Sequence, residues 1–112
     1  MNNNLKLIVN NSIKNIEEKY FFEKNELKII LNLYAKMVST GEWKDYGLSI
    51  SSRQVGFNVF KHAAENALYQ ICKNFKPTNK NLKYLIMDTK GKILKNSFDL
   101  ENLLKTTNWK KL

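Results

Sequence analysis

Glu42 and Asp45 stand three residues apart in the stretch Gly41-Glu42-Trp43-Lys44-Asp45-Tyr46. Paired carboxylates can divide into an acid and a base when their surroundings split their pKa values. They can also hold a divalent cation, but two carboxylates are a poor ligand set without more oxygen donors. A structural reading is preferred, because perturbed carboxylates also occur in structural networks. In it Asp45 accepts backbone N–H groups in a turn, Glu42 pairs with Lys44 or Arg53, and Trp43 and Tyr46 pin the corner. If this corner has a function, it is recognition sooner than catalysis. His62 and Cys72 are the only histidine and the only cysteine. They supply no zinc set, and a strand position for Cys72 offers no helix N-terminus to lower its pKa. The four glycines are too scattered for a phosphate-cradling loop. The residues therefore assign no catalytic group, no metal and no cofactor.

The basic residues carry more. Lys73, Lys76, Lys80 and Lys83 lie in or beside one loop, and no acid occurs from Asn66 to Met87. Lys90 and Lys92 flank a turn, and Arg53 is the only arginine. Loops are common binding surfaces. Phe75, between two of these lysines, is placed to stack on an unpaired base. Lysines meet phosphate as point charges and bring little base specificity.

The formal charge is +9, unevenly spread. Residues 1–52 carry seven lysines against six acids, whereas residues 53–112 carry twelve basic residues against four acids. A basic half suits an anionic partner, RNA or DNA. The bland alternative is a coding composition rich in lysine and asparagine, with the loop lysines merely solvated. The 112 residues suffice for one domain. No apolar run reaches bilayer length, Leu7-Ile8-Val9 is too short for a signal peptide, and a lone cysteine forms no internal disulfide. The expectation is a cytoplasmic protein with no membrane partner.

These residues need a scaffold. Residues 1–18 read as a weakly ordered arm, in which Leu5, Leu7 and Val9 alternate; residues 19–112 read as one α+β domain. From Phe22 to Gly41, Leu27, Ile30, Leu31, Tyr34 and Val38 form one helical stripe and Ile29, Leu33 and Met37 a second. Gly41 supplies the stop. Strands are expected at Tyr46–Ile50, Val55–Lys61, Ala67–Lys73, Leu82–Met87 and Lys92–Lys95, from their alternation and the turn signals between them. Asp88-Thr89-Lys90-Gly91 marks a hairpin. Leu100, Leu103 and Leu104 line a short C-terminal helix, after which Trp109 folds back. Short connections pair neighbouring strands antiparallel. The fold predicted is an antiparallel sheet of about five strands, covered by one long N-terminal helix and flanked by a short C-terminal one.

The order of parts is also similar to a known family. Glu26-Leu27, Ile30 to Tyr34, Met37-Val38 and above all Gly41-Glu42-Trp43-Lys44-Asp45-Tyr46 resemble a family of small bacterial proteins, best represented in alphaproteobacteria and known only as a domain of unknown function. Phe57 to Phe60, Leu68 to Ile71 and Ile93 to Lys95 resemble its later blocks. The loop from Lys73 to Lys80 departs in carrying lysine where more arginine is expected. The resemblance implies a small cytosolic protein and supplies no activity, cofactor or catalytic residue.

The reading is a basic binding module that contacts nucleic-acid phosphates non-specifically through Arg53, Lys73, Lys76, Lys80 and Lys83, joined by Lys90 and Lys92, with Phe75 stacking. The alternative is a protein-interaction or self-associating protein with no nucleic acid. It would use an open sheet edge and exposed Trp43, Tyr46 and Met37.

Overall fold

The structure, a computed structural model, describes residues 20–61 and 66–112. The expected arm at residues 1–18 and His62 lie outside the described residues.

Helix α1 spans Lys24–Ser39, of ordinary rather than great length. At its start the Glu23 N–H donates to Glu26 Oε1 at 2.6 Å, which satisfies a donor that the helix itself leaves open. At its end Gly41 takes φ of 80°; its N–H donates to Val38 O at 3.0 Å and that of Glu42 to Met37 O at 2.9 Å. This is the left-handed stop that glycine supports. The buried seam of α1 differs from the expected stripe. Glu26, Ile30 and Met37 are buried, while Leu31 and Val38 are 38% and 40% exposed. Ile30 comes from one expected stripe and Met37 from the other, so the covered seam runs between the two and leaves Leu31 and Val38 at its outer edge.

Five strands follow: β1 (Asp45–Ile50), β2 (Gln54–Phe60), β3 (Tyr69–Asn74), β4 (Tyr84–Met87) and β5 (Ile93–Ser97). They pair antiparallel in sequence order, so the α+β architecture and the five-stranded sheet are as expected. The strand ends shift. Leu82 and Lys83 precede β4, because Lys80–Leu82 forms a turn of 3₁₀ helix started by Asn79, whose Oδ1 accepts from the Asn81 N–H at 2.9 Å. Ala67 and Leu68 precede β3, and β5 runs from Ile93 instead of Lys92.

The registers Leu48–Phe57, Phe57–Ile71 and Ile71–Ile86 set one face of the sheet. On it Val55, Phe57, Val59, Ile71 and Ile86 are wholly buried. Full burial of such a side chain is worth about 2 kcal/mol. Ile30 and Met37 of α1 and Leu100, Leu103 and Leu104 of α2 (Leu100–Thr106) complete this core. Asp99 caps α2 by accepting the Asn102 N–H at 3.2 Å. Beyond α2, Trp109 folds back onto Trp43, with the ring centroids 5.2 Å apart. Among the described residues no helix is long and apolar enough to cross a membrane.

Candidate nucleic-acid interface

The β1–β2 turn and the β3–β4 loop leave the sheet at the same end. Antiparallel pairing of β2 with β3 puts Gln54 opposite Asn74, and the Phe75 N–H donates to Arg53 O at 2.9 Å. The turn is held by Ser51, whose Oγ accepts the N–H groups of Arg53 at 3.2 Å and Gln54 at 3.1 Å. The loop is held by Asn74, which donates through Nδ2 to Leu82 O at 2.7 Å and through its backbone N–H to Lys83 O at 2.8 Å. Between them lies an open cleft of about 840 Å³ lined by Arg53, Ser52, Phe75, Lys76, Pro77, Thr78 and Tyr20. Phe75 and Tyr20 meet edge to face, 5.9 Å between centroids. Three of the sequence-predicted residues, Arg53, Phe75 and Lys76, thus share one cleft. Tyr20, which the sequence did not single out, joins them.

The other predicted cations divide. Lys80 is exposed beside the cleft loop, its Nζ 5.7 Å from the Phe98 ring centre. Lys83 is half-buried, with Nζ 5.4 Å from the Tyr84 ring centre. Lys73 leaves the set: it lies on β3 facing the core, only 8% exposed, with Nζ 2.7 Å from Glu26 Oε1. A lysine spent on a buried carboxylate has no reach to phosphate. Lys90 and Lys92 sit in the β4–β5 hairpin, at the opposite end of the sheet, and do not extend the cleft. There Asp88 Oδ1 accepts both of their backbone N–H groups at 2.9 Å, and Gly91 takes φ of 81°.

Sequence reasoning missed the cluster that Lys73 joins. Glu26 accepts hydrogen bonds from Lys73 Nζ, from Glu23 N–H and from the Tyr84 hydroxyl. Burial acts to raise the Glu26 pKa, but these hydrogen bonds and the lysine charge outweigh it and hold the carboxyl below its ordinary value. Burial, then the bond to Glu26, pushes the Tyr84 phenol up. The signal was present: Glu26 lies at i−4 from Ile30, and Lys73 shares the strand face of Ile71 two residues before it. Two opposite charges on apolar faces point to a buried pair.

The Gly41–Tyr46 corner is a joint. Trp43 is 2% exposed and Met37 8%, so neither is the exposed anchor expected of an interaction surface. The Lys44 N–H donates to Phe60 O at 2.8 Å, and Tyr34 donates its hydroxyl to Lys44 O at 3.3 Å. Asp45 is the first residue of β1 rather than a turn residue, and its Oδ1 accepts the Tyr46 N–H at 2.8 Å. Glu42 is half-buried and lines none of the clefts described. Tyr46 stacks on Phe57 at 4.8 Å but keeps 44% of its surface exposed.

On the sheet face away from α1, side chains form a polar row. Asn58 Nδ2 donates to Ser49 Oγ at 2.9 Å, Gln70 Nε2 to Asn58 Oδ1 at 2.5 Å, and Cys72 Sγ to Gln70 Oε1 at 3.0 Å. Cys72 is fully buried, and burial pushes its thiol up to about 12. Such a thiol is inert rather than nucleophilic.

The molecule is thus a small α+β domain in which a basic and aromatic cleft opens at one end of an antiparallel meander. The chain belongs to the family described as protein of unknown function DUF2794, whose model matches residues 20–104. No curated protein and no solved structure matches it.

Proposed function

We propose that the chain is a nucleic-acid-binding module that takes an unpaired stretch of RNA or DNA across the cleft between the β1–β2 turn and the β3–β4 loop. The observation that carries this reading is the meeting of Arg53 and Lys76 with the Phe75 and Tyr20 rings in one open cleft. Two cations and a pair of rings are the parts with which sequence-tolerant sites hold phosphate and stack bases. Lys80, exposed on the same loop, lengthens the basic track. Recognition is non-specific, because the cleft offers charge and ring surface in place of a fixed set of base-edge contacts. The setting is the bacterial cytoplasm, a reading supported by a free, buried Cys72.

The test is fluorescence anisotropy of a labelled single-stranded oligonucleotide against salt. Three cations on phosphate give a log–log slope of about −2. The double variant Lys76→Glu/Lys80→Glu, with an unchanged far-UV spectrum, weakens binding by at least about tenfold and flattens the slope. Parent-like binding by that variant overturns the reading.

A further inference from the structure

The edges of the sheet are not alike. β5 carries Lys95 and meets β4 through a register shift at Ile86/Met87. A charge and an irregular ladder are devices that discourage edge pairing. β1 carries its one charge, Asp45, at its first residue; it meets β2 through six successive pairs, and Tyr46 to Ser52 contains no charge and no proline. The Ser51 N–H donates to Gln54 O at 3.0 Å, so odd-numbered residues of β1 turn their backbone groups to β2 and even-numbered ones turn theirs outward. The Tyr46 N–H is taken by Asp45. Leu48 and Ile50 present N–H and C=O groups to the open edge.

Their side chains are apolar and open too, at 45% and 54% exposure. Next to them runs the uncovered stripe of α1. Tyr34 touches Tyr46 and Phe57, with centroids 5.1 and 5.7 Å apart, so Leu31 and Val38 on its stripe lie on the β1 side.

We propose that β1 pairs with β1 of a second copy, antiparallel about Ser49, to give a two-fold dimer with a continuous ten-stranded sheet. Charge selects this occupant. Copies of a +9 chain repel over most of their surface and meet at least cost along a neutral strip. That strip is bounded by exposed Asp45 at one end and exposed Arg53 at the other. Antiparallel pairing about Ser49 sets Leu48 against Ile50 of the second copy and brings each Asp45 to the β1–β2 turn of the second copy, which carries Arg53. Side chains stay on their own face, so both α1 helices lie on the same face of the ten-stranded sheet, one on each side of the seam. The contact is isologous and closes, unlike an open chain of strands. It goes beyond the nucleic-acid reading. The two share Arg53 only, and mass rather than oligonucleotide binding is measured.

Sedimentation equilibrium of the full chain tests it. The expected result is a concentration-dependent mass twice the 13.2 kDa of one chain. Leu48→Lys and, separately, Leu48→Pro, which removes an outward N–H that β2 does not use, return it to the single-chain mass with an unchanged far-UV spectrum. Asp45→Arg weakens the dimer by about tenfold or more, and adding Arg53→Asp restores it. A parent that stays a single chain up to about 1 mM overturns the proposal, as does a dimer indifferent to both Leu48 variants. A single-chain parent with slowly exchanging β1 amides would assign the edge to a segment of the same chain, and also overturns it.

Discussion

Glu26 occupies a position where the helix period asks for an apolar residue, and it is charged. It is 6% exposed, yet its oxygens are engaged by an ammonium, a phenol and a backbone N–H. Removing one partner of such a pair leaves an uncompensated buried charge and costs about 3–5 kcal/mol, whereas replacing both by apolar side chains is often neutral or better. Lys73→Met is therefore expected to lower stability by about 3 kcal/mol, and Glu26→Met/Lys73→Met to recover most of it, measured by urea unfolding at pH 7. The pH dependence has a definite sign. The folded carboxyl titrates below the ordinary value of 4.5, so the unfolded chain binds the proton first as acid is added. The contribution of Glu26 is complete above pH 4.5 and is lost as pH falls through the folded value. In Glu26→Met/Lys73→Met this part of the acid sensitivity is absent, and the slope of stability between pH 5 and 3 is shallower. An equal slope in the parent and double variant would contradict the account.

At the scale of elements, the stop of α1 depends on one backbone conformation. A Cβ at Gly41 would meet nothing within 4 Å, so space is not what requires glycine there; φ of 80° is. Gly41→Ala is expected to cost about 1 kcal/mol, read as a lower urea midpoint with an unchanged m-value. Elements of this kind were legible in the sequence because periods of 2 and 3.6, a glycine stop and an Asp-to-Gly turn are local signals. The five strands, both helices and the fold of Trp109 back onto the core follow from them. The seam of α1 was legible only in part: Ile30 and Met37 stood on the two expected stripes, but that the seam runs between them, takes in Glu26 and leaves Leu31 and Val38 exposed is set by tertiary placement. Lys73 was legible in part: it shares a strand face with Ile71, but that this face is the core one follows from Ile71 pairing with Phe57 and Ile86. Of the candidate site, Arg53, Phe75 and Lys76 were singled out in the sequence, but their meeting in one cleft depends on the β2–β3 register. The position of Lys90 and Lys92 was in principle countable. In an antiparallel meander successive connections alternate between ends, so the first and third share one end and the β4–β5 hairpin takes the other.

That alternation divides the charge of the whole molecule. One end of the sheet holds Arg53, Lys76 and Lys80, and the other holds Lys90 and Lys92. They are separated by at least the length of β4, whose four residues span about 13 Å. Screening at physiological ionic strength acts over about 8 Å, so the hairpin lysines contribute little to the field in the cleft. The chain's net +9 is therefore a poor guide to where a polyanion sits. Lys90→Glu/Lys92→Glu changes the net charge as much as Lys76→Glu/Lys80→Glu does. If total charge draws the partner, the two double variants lose affinity alike. If the cleft does, the hairpin variant keeps the parent salt slope and stays within about twofold of its affinity, while the loop variant falls by about tenfold. Anisotropy titrations of one single-stranded oligonucleotide against both variants at about 0.15 M salt separate the outcomes. Equal losses would assign binding to composition and end the case for the cleft. Unequal losses would locate it at the end of the sheet where a turn and a loop bring Arg53 to Phe75.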